Sequence, residues 1–367
     1  MSITSKSPKD VLVTAWKVAK EAIRPYSHRC SPKKFTQHQL FAVLVLKNSL
    51  RVDYRGAVAL LRDCSDLTEA IKLEKVPHFT TLQKASQRLL GSASVRALLD
   101  ETVRRQMRRR RRLQTAAVDS TGLECSSASG YFVRRRKSIG SPWDTVVYHH
   151  FPKLAVLCDV ADHFIFAYEA RRGPKPDVNE FRGLLGQALA RVRITRIAAD
   201  AGYDSEGNHR FSREECGVRT IIPAKHGRPT ARPATGRYRR LMQTRFDRVT
   251  YRQRSQVETV VSMIKRRQGP HVRGRTYHSQ CRDLRLLVLT HNLMILWRNK
   301  VFYRAGPETS HPAYLSAVGS STAFVWWAWS WSPRESWESF PATRSSLANR
   351  NSRGTATIQP MSPTATP

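Results

Sequence analysis

Strand-like and helix-like segments alternate in a fixed order through the middle of the chain, and that order limits the fold more than any other feature. Gln114 to Leu123 (QTAAVDSTGL) is short and rich in small and β-branched residues, and KLAVLCDV and HFIFAYEA follow as two further strand-like runs. Asp177 to Val192 has helical spacing with Asp177 as a candidate cap, and ITRIAAD then returns to strand before Gly202 interrupts it. A helical segment from Ser205 to Cys216 leads into VRTIIPAK, a fifth strand, and a helix over Tyr251 to Arg267 comes next. Three strands, helix, strand, helix, strand, helix describe a mixed α/β core.

That order matches an RNase H-like mixed sheet flanked by helices. From Lys9 to about Leu99 the pattern is helical throughout, with apolar residues three and four apart at Leu40, Val43, Leu44 and Leu46, and again at Val58, Leu60 and Leu61. Thr80 and Thr81 precede LQKASQRLL as candidate caps. The stretch from Phe35 to Leu90 reads either as a DNA-end-binding module similar to a helix-turn-helix or as a bundle that packs on the core or mediates dimerisation. The run RRQMRRRRR (Arg104 to Arg112) reads as a basic linker, solvated or neutralised by phosphates.

Lys225 to Thr250 is rich in Arg, Pro and Gly and reads as a basic loop. Leu284 to Trp297 is apolar on most sides, as in a buried helix, with His291 and Asn292 as satisfied core polar groups. Beyond Pro307 the sequence turns to Ser, Thr, Pro and Trp with neither helix nor strand period, so disorder is expected there. These readings divide the chain into a helical N-terminal domain with basic linker (1–112), a catalytic domain (113–300) and a tail (301–367).

Charge narrows the partners. In 367 residues, 63 Lys and Arg against 28 Asp and Glu give a formal charge of +35, a field suited to polyanions and above all to nucleic acid. No apolar run approaches the roughly 18 residues of a membrane span, and the first thirty residues lack the apolar region of a secretory signal, so a cytoplasmic location is expected. Cys30, Cys64, Cys125, Cys158, Cys216 and Cys281 form no CxxC pair, which argues against a zinc ribbon, gives no disulfide framework and predicts free, partly buried thiols.

Three acids carry the chemistry. Asp119 ends one apolar strand in AAVDSTGLE and Asp200 ends another in RIAADAGYDS, each beside small residues that let a phosphate or metal approach. With Asp204 and Ser205 available to cap the next helix, Asp200 has no evident local role. In YRQRSQVETVVSMIK, Tyr251, Arg254, Glu258 and Lys265 fall within one arc of about 60° on a continuous helix, with Val257, Val260, Val261 and Ile264 forming the adjacent apolar stripe. Alone, that face is also what a solvated helix with an Arg254–Glu258 pair presents.

Taken together, DSTGLE, ADAGYDSEGN and the Y-x2-R-x3-E-x6-K pattern resemble the DDE transposases of bacterial insertion sequences, the group with the YREK signature. The resemblance covers roughly Lys33 to Lys300. It implies a metal-dependent endonuclease and DNA-recombination enzyme in which Asp119, Asp200 and Glu258 ligate Mg²⁺ or Mn²⁺, two ions in all, while Tyr251, Arg254 and Lys265 contact phosphates at the element's end. It further implies double-stranded DNA partners, the terminal inverted repeats of the element and target DNA, and a homodimer in the synaptic complex. The alternatives are a catalytically inactive DNA-binding relative and another RNase H-like nuclease. Trp143 in SPWDT is a candidate for base stacking, and the sequence leaves open whether cleavage passes through a hairpin.

Overall fold

In the computed structural model, the residues described are 5–108, 110, 112–125, 150–173, 175–224 and 234–304, with side chains described up to residue 296. Trp143 and the C-terminal tail beyond residue 304, including its Trp cluster, lie outside them.

The small and β-branched runs form the sheet. Strands β1 (Arg112–Gly122), β2 (Glu124–Cys125), β3 (Phe151–Asp159), β4 (Ile165–Gly173), β5 (Arg193–Ala199) and β6 (Arg219–Ile221) follow in chain order, and five of them make one sheet ordered β4-β3-β1-β5-β6. β3 pairs antiparallel with both β1 and β4, whereas β5 is parallel to β1 and β6 parallel to β5. This is the RNase H-like arrangement that the order of segments predicts. The central strand β1 buries Leu113 and the whole run from Thr115 to Val118, as a strand covered on both faces must. β2 lies apart and pairs with β7 (His271–Val272).

Six helices precede the sheet: α1 (Pro8–Ala22), α2 (Gln37–Ser49), α3 (Tyr54–Asp63), α4 (Ser65–Ala70), α5 (Phe79–Leu89) and α6 (Ser92–Gln106). Local chemistry sets several of their starts. Ser7 caps α1, Thr36 and Gln39 form a reciprocal capping box on α2, and the Asp53 side chain accepts from the Gly56 amide at α3. α2 buries every residue from Leu40 to Leu46, so it is an internal helix. α5 starts at Phe79 with His78 as its N-cap residue and without a side-chain cap. Thr80 and Thr81 therefore lie inside the first turn, where Thr80 Oγ1 is instead 2.8 Å from His78 Nδ1.

After the sheet begins come α7 (Phe181–Leu189), α8 (Glu206–Arg210) with a π turn at Phe211–Glu215, α9 (Arg237–Thr244), α10 (Arg248–Arg252), α11 (Ser255–Gln268) and α12 (Tyr277–Arg304). α7 packs on β3, β4 and β5, α11 on β1 and β3, and α12 on β3 and β4. One continuous apolar cluster runs from α1 and α2 through α12 to the sheet. In α12, Asn292 Oδ1 accepts from the Ile165 amide at 3.0 Å while its Nδ2 donates to the Ile165 carbonyl at 2.8 Å. His291 Nε2 lies 2.9 Å from the His163 carbonyl oxygen, so both residues are satisfied core groups as expected.

The basic stretch from Lys225 to Thr250 is not a loop throughout. Residues 225–233 lie outside the described set, but α9 and the start of α10 occupy its second half. A long-range cap accounts for this: the Glu206 carboxylate accepts from the Tyr238 and Arg239 amides, each at 3.1 Å, at the start of α9. Among the described residues all six cysteines are free thiols, and no helix is long and apolar enough to cross a membrane.

Candidate active site

The parallel register of β1 and β5 brings the first two acids together. Val118 stands opposite Ala199, so the next residues lie side by side on adjacent strands about 4.8 Å apart: Asp200 just past the end of β5, and Asp119 still inside β1, which runs on to Gly122 rather than ending at the acid as expected. Asp119 Oδ1 accepts the Ser120 amide at 2.8 Å, which fixes the carboxylate against its own backbone. Asp200 does have a local role, contrary to the sequence expectation. Its side chain accepts the Gly202 amide at 2.9 Å and caps the short 3₁₀ turn Ala201–Tyr203, while Ser205 caps α8 separately.

Glu258 reaches the same region from the first turn of α11, whose Val257, Val260 and Ile264 are buried against the sheet. Val261 is only half-buried. The continuous helix expected from Tyr251 to Arg267 is interrupted. α10 ends at Arg252, and Gln253 and Arg254 donate to the carbonyls of Thr250 and Tyr251 at 3.1 and 2.9 Å, three residues back, in a tight turn. Arg252 and Gln253 are exposed, and with no apolar side chain here to press the chain onto the core, packing does not hold the helical run together.

Tyr251 therefore sits on a different helix from Glu258. It still faces the same place, because the Arg254 guanidinium lies 5.9 Å from the Tyr251 ring centroid and pairs with Glu258. Lys265 shares the Glu258 face of α11 but stands two turns further on, about 10 Å along the axis. The structure thus gathers Asp119, Asp200, Glu258, Arg254 and Tyr251, and sets Lys265 beside that group rather than in it.

Burial pushes the Asp119 carboxyl up from 3.8 to about 6; the Ser120 amide and the Arg254 charge oppose this, and the Asp200 and Glu258 carboxylates add to it. Among the described residues no group of three or more His, Cys, Asp or Glu side chains is assembled to hold a metal ion. Glu258 is engaged by Arg254 instead. The chemistry of the donors nevertheless suits a hard divalent cation, since Asp119, Asp200 and Glu258 offer only carboxylate oxygens and the charges of Asp200 and Glu258 act on Asp119.

One participant escaped the sequence reading. Asp177 looks like a helix cap there, yet it caps nothing: the short 3₁₀ turn at Asp177–Asn179 and α7 have no side-chain cap. Its carboxylate accepts from Ser120 Oγ at 2.7 Å and pairs with Lys153 Nζ at 2.5 Å. No local pattern announces this, because the three residues come from three separate elements.

The family described as a transposase DDE domain matches residues 110–293, half of the chain and all of the region that carries these acids. The chain belongs to that family. Two solved structures resemble it more distantly. The piggyBac transposase synaptic complex with hairpin DNA is 10% identical with a TM-score of 0.41, covering 82% of this chain and 74% of that one. The Mos1 pre-cleavage transpososome is 15% identical with a TM-score of 0.19, covering 77% and 82%. Neither superposition is close enough to carry an argument about the site. No curated protein matches.

Proposed function

We propose that this DDE transposase cuts DNA at the ends of a mobile element and joins the freed 3′-hydroxyl to target DNA. What supports the reading is the juxtaposition of Asp119 in β1 with Asp200 just past the end of the adjacent β5, both within electrostatic reach of Glu258, inside a domain of the DDE family. Asp119, Asp200 and Glu258 would hold Mg²⁺ or Mn²⁺, and such ions supply activation of water or a 3′-hydroxyl and stabilisation of the leaving oxygen in an in-line displacement. Glu258 is free for that role once Arg254 releases it. The guanidinium then has a phosphate to turn to, which it grips bidentately, while Tyr251 offers a neutral donor and Lys265 a point charge further along the same strand.

DNA also needs contacts away from the cut. A cavity of about 920 Å³ between α6 and α7 is lined by Arg96, Arg104, Arg108, Arg110 and Arg191 with Asp100 as its one acid. Arg191 and Arg110 are taken up by Asp100, Asp159 and Asp162, but no hydrogen bond or ion pair holds Arg96 or Arg108 among the described residues. These two are suited to the phosphate backbone. The element's inverted repeats and the target are the double-stranded partners in this reading, and a homodimer brings two ends together.

The test uses the DNA that flanks the gene. Purified protein is incubated with labelled end DNA, a supercoiled plasmid and Mg²⁺, and products are resolved by length and by joining to the plasmid. Cleavage at the repeat boundary with joined products is expected. Cleavage without joining favours another RNase H-like nuclease, and binding without cleavage an inactive relative.

A further inference from the structure

Beneath the acids, on the opposite face of β1, lies a polar network that the proposed chemistry does not use. Side chains alternate along a strand, and opposed residues on antiparallel strands share a face. The β1–β3 register pairs Asp119 with Val156 and Gly122 with Lys153, so Asp119 projects from one face while Ser120 and Lys153 project from the other.

On that second face the contacts are continuous. Ser120 Oγ donates to Asp177 Oδ1, and the almost fully buried Lys153 ammonium pairs with Asp177 at 2.5 Å and Glu180 at 3.2 Å and donates to the Lys175 carbonyl at 2.7 Å. Asp177 also borders the other acid, for a Cβ at Gly202 would lie 3.0 Å from Asp200 Oδ1 and 3.3 Å from Asp177 Oδ2. The Asp177 turn does not depend on this carboxylate to keep its place, because Asn208 Nδ2 donates to the Val178 carbonyl at 2.9 Å and to the Tyr203 carbonyl at 3.0 Å. Lys153 and Glu180 are both almost fully buried, and burying an ion pair is costly unless its charges are paired and hydrogen-bonded, as Lys153 is here to Asp177, Glu180 and the Lys175 carbonyl.

We propose that Asp177, held by Lys153, which Glu180 pairs from its other side, is a positioning residue for the acid pair: it fixes Ser120, whose amide orients the Asp119 carboxylate, and walls the loop that carries Asp200. The inference rests on the reading of Asp119 and Asp200 as ligands of a divalent ion. Groups that orient ligands in this way typically affect metal affinity by about 10–100-fold.

The experiment measures Mn²⁺ binding to the full chain by calorimetry, without DNA, for wild type, Ser120→Ala, Asp177→Ala and the double variant, alongside fluorescence anisotropy with duplex DNA. Each single variant is expected to weaken Mn²⁺ binding about 10-fold or more, and the double variant to bind no worse than the weaker single. DNA binding is expected to stay as in wild type. Asp177→Asn, which keeps an acceptor for Ser120 but loses the ion pair, is expected to fall between Asp177→Ala and wild type; should Asp177→Ala not fold, Asp177→Asn takes its place in the cycle. Wild-type Mn²⁺ affinity in the Asp177 variants, or losses that simply add in the double variant, overturns the positioning role alone. A wild-type protein that binds no Mn²⁺ overturns the ligand assignment and this inference with it.

Discussion

Replacing Asp119 with Asn tests whether the folded chain holds the Asp119 carboxylate against the cost of burying its charge. Asn keeps an oxygen for the Ser120 amide and the size of the side chain, and removes only the ionisable group. In the folded chain the carboxyl is raised from 3.8 to about 6, first by burial and further by Asp200 and Glu258. A raised carboxyl binds its proton more tightly in the folded than in the unfolded chain, so below about pH 4 it costs nothing. Stability is lost as pH rises from about 4 to 6, and the full cost is present above that. The displacement is equivalent to about 3 kcal/mol; partial solvent access at this half-buried residue screens it to about 1–2 kcal/mol. Urea unfolding of wild type and Asp119→Asn, with chelator present, reads the difference at pH 7.5 and again near pH 4. The variant is expected to be the more stable at pH 7.5 by that amount, with the gap closing at pH 4. Equal stabilities at pH 7.5, or a variant less stable there, refutes the reasoning.

Asn292→Ala leaves the Ile165 amide and carbonyl without partners in the core, at a cost of about 2–4 kcal/mol that urea unfolding reads directly. Gly202→Ala places a methyl between two carboxylates 3.0 and 3.3 Å away and is expected to lower DNA cleavage while DNA binding, read by anisotropy, persists. Arg96→Ala with Arg108→Ala removes two unpaired charges from the basic cavity, and the slope of log affinity against log salt is expected to become shallower by about 2. An unchanged slope removes that cavity from the DNA path.

How far the sequence reaches depends on the range of each interaction. The succession of strands and helices in the mixed sheet follows from the alternating segment patterns, and Asp119 and Asp200 follow from apolar runs that lead into an acid, since these are local patterns fixed by burial. The break between Tyr251 and Glu258 was hidden, because helical periodicity reports which face a residue takes and not whether consecutive turns stay joined. α9 was hidden because its amides are capped from Glu206, some thirty positions earlier. Asp177 was misassigned for a similar reason: an acid before a helical run is usually a cap, and only the folded sheet brings Ser120 and Lys153 to it.

The central claim is that three acids from β1, the end of β5 and α11 act as one metal-binding set. The most direct measurement is cleavage of labelled end DNA in Mg²⁺ and in Mn²⁺ by wild type and by Asp119→Ala, Asp200→Ala and Glu258→Ala, each first shown to bind the same DNA. The account expects cleavage by wild type that is abolished by chelator, and loss of cleavage in all three variants with binding retained. Cleavage at the wild-type rate by any one of the three contradicts it.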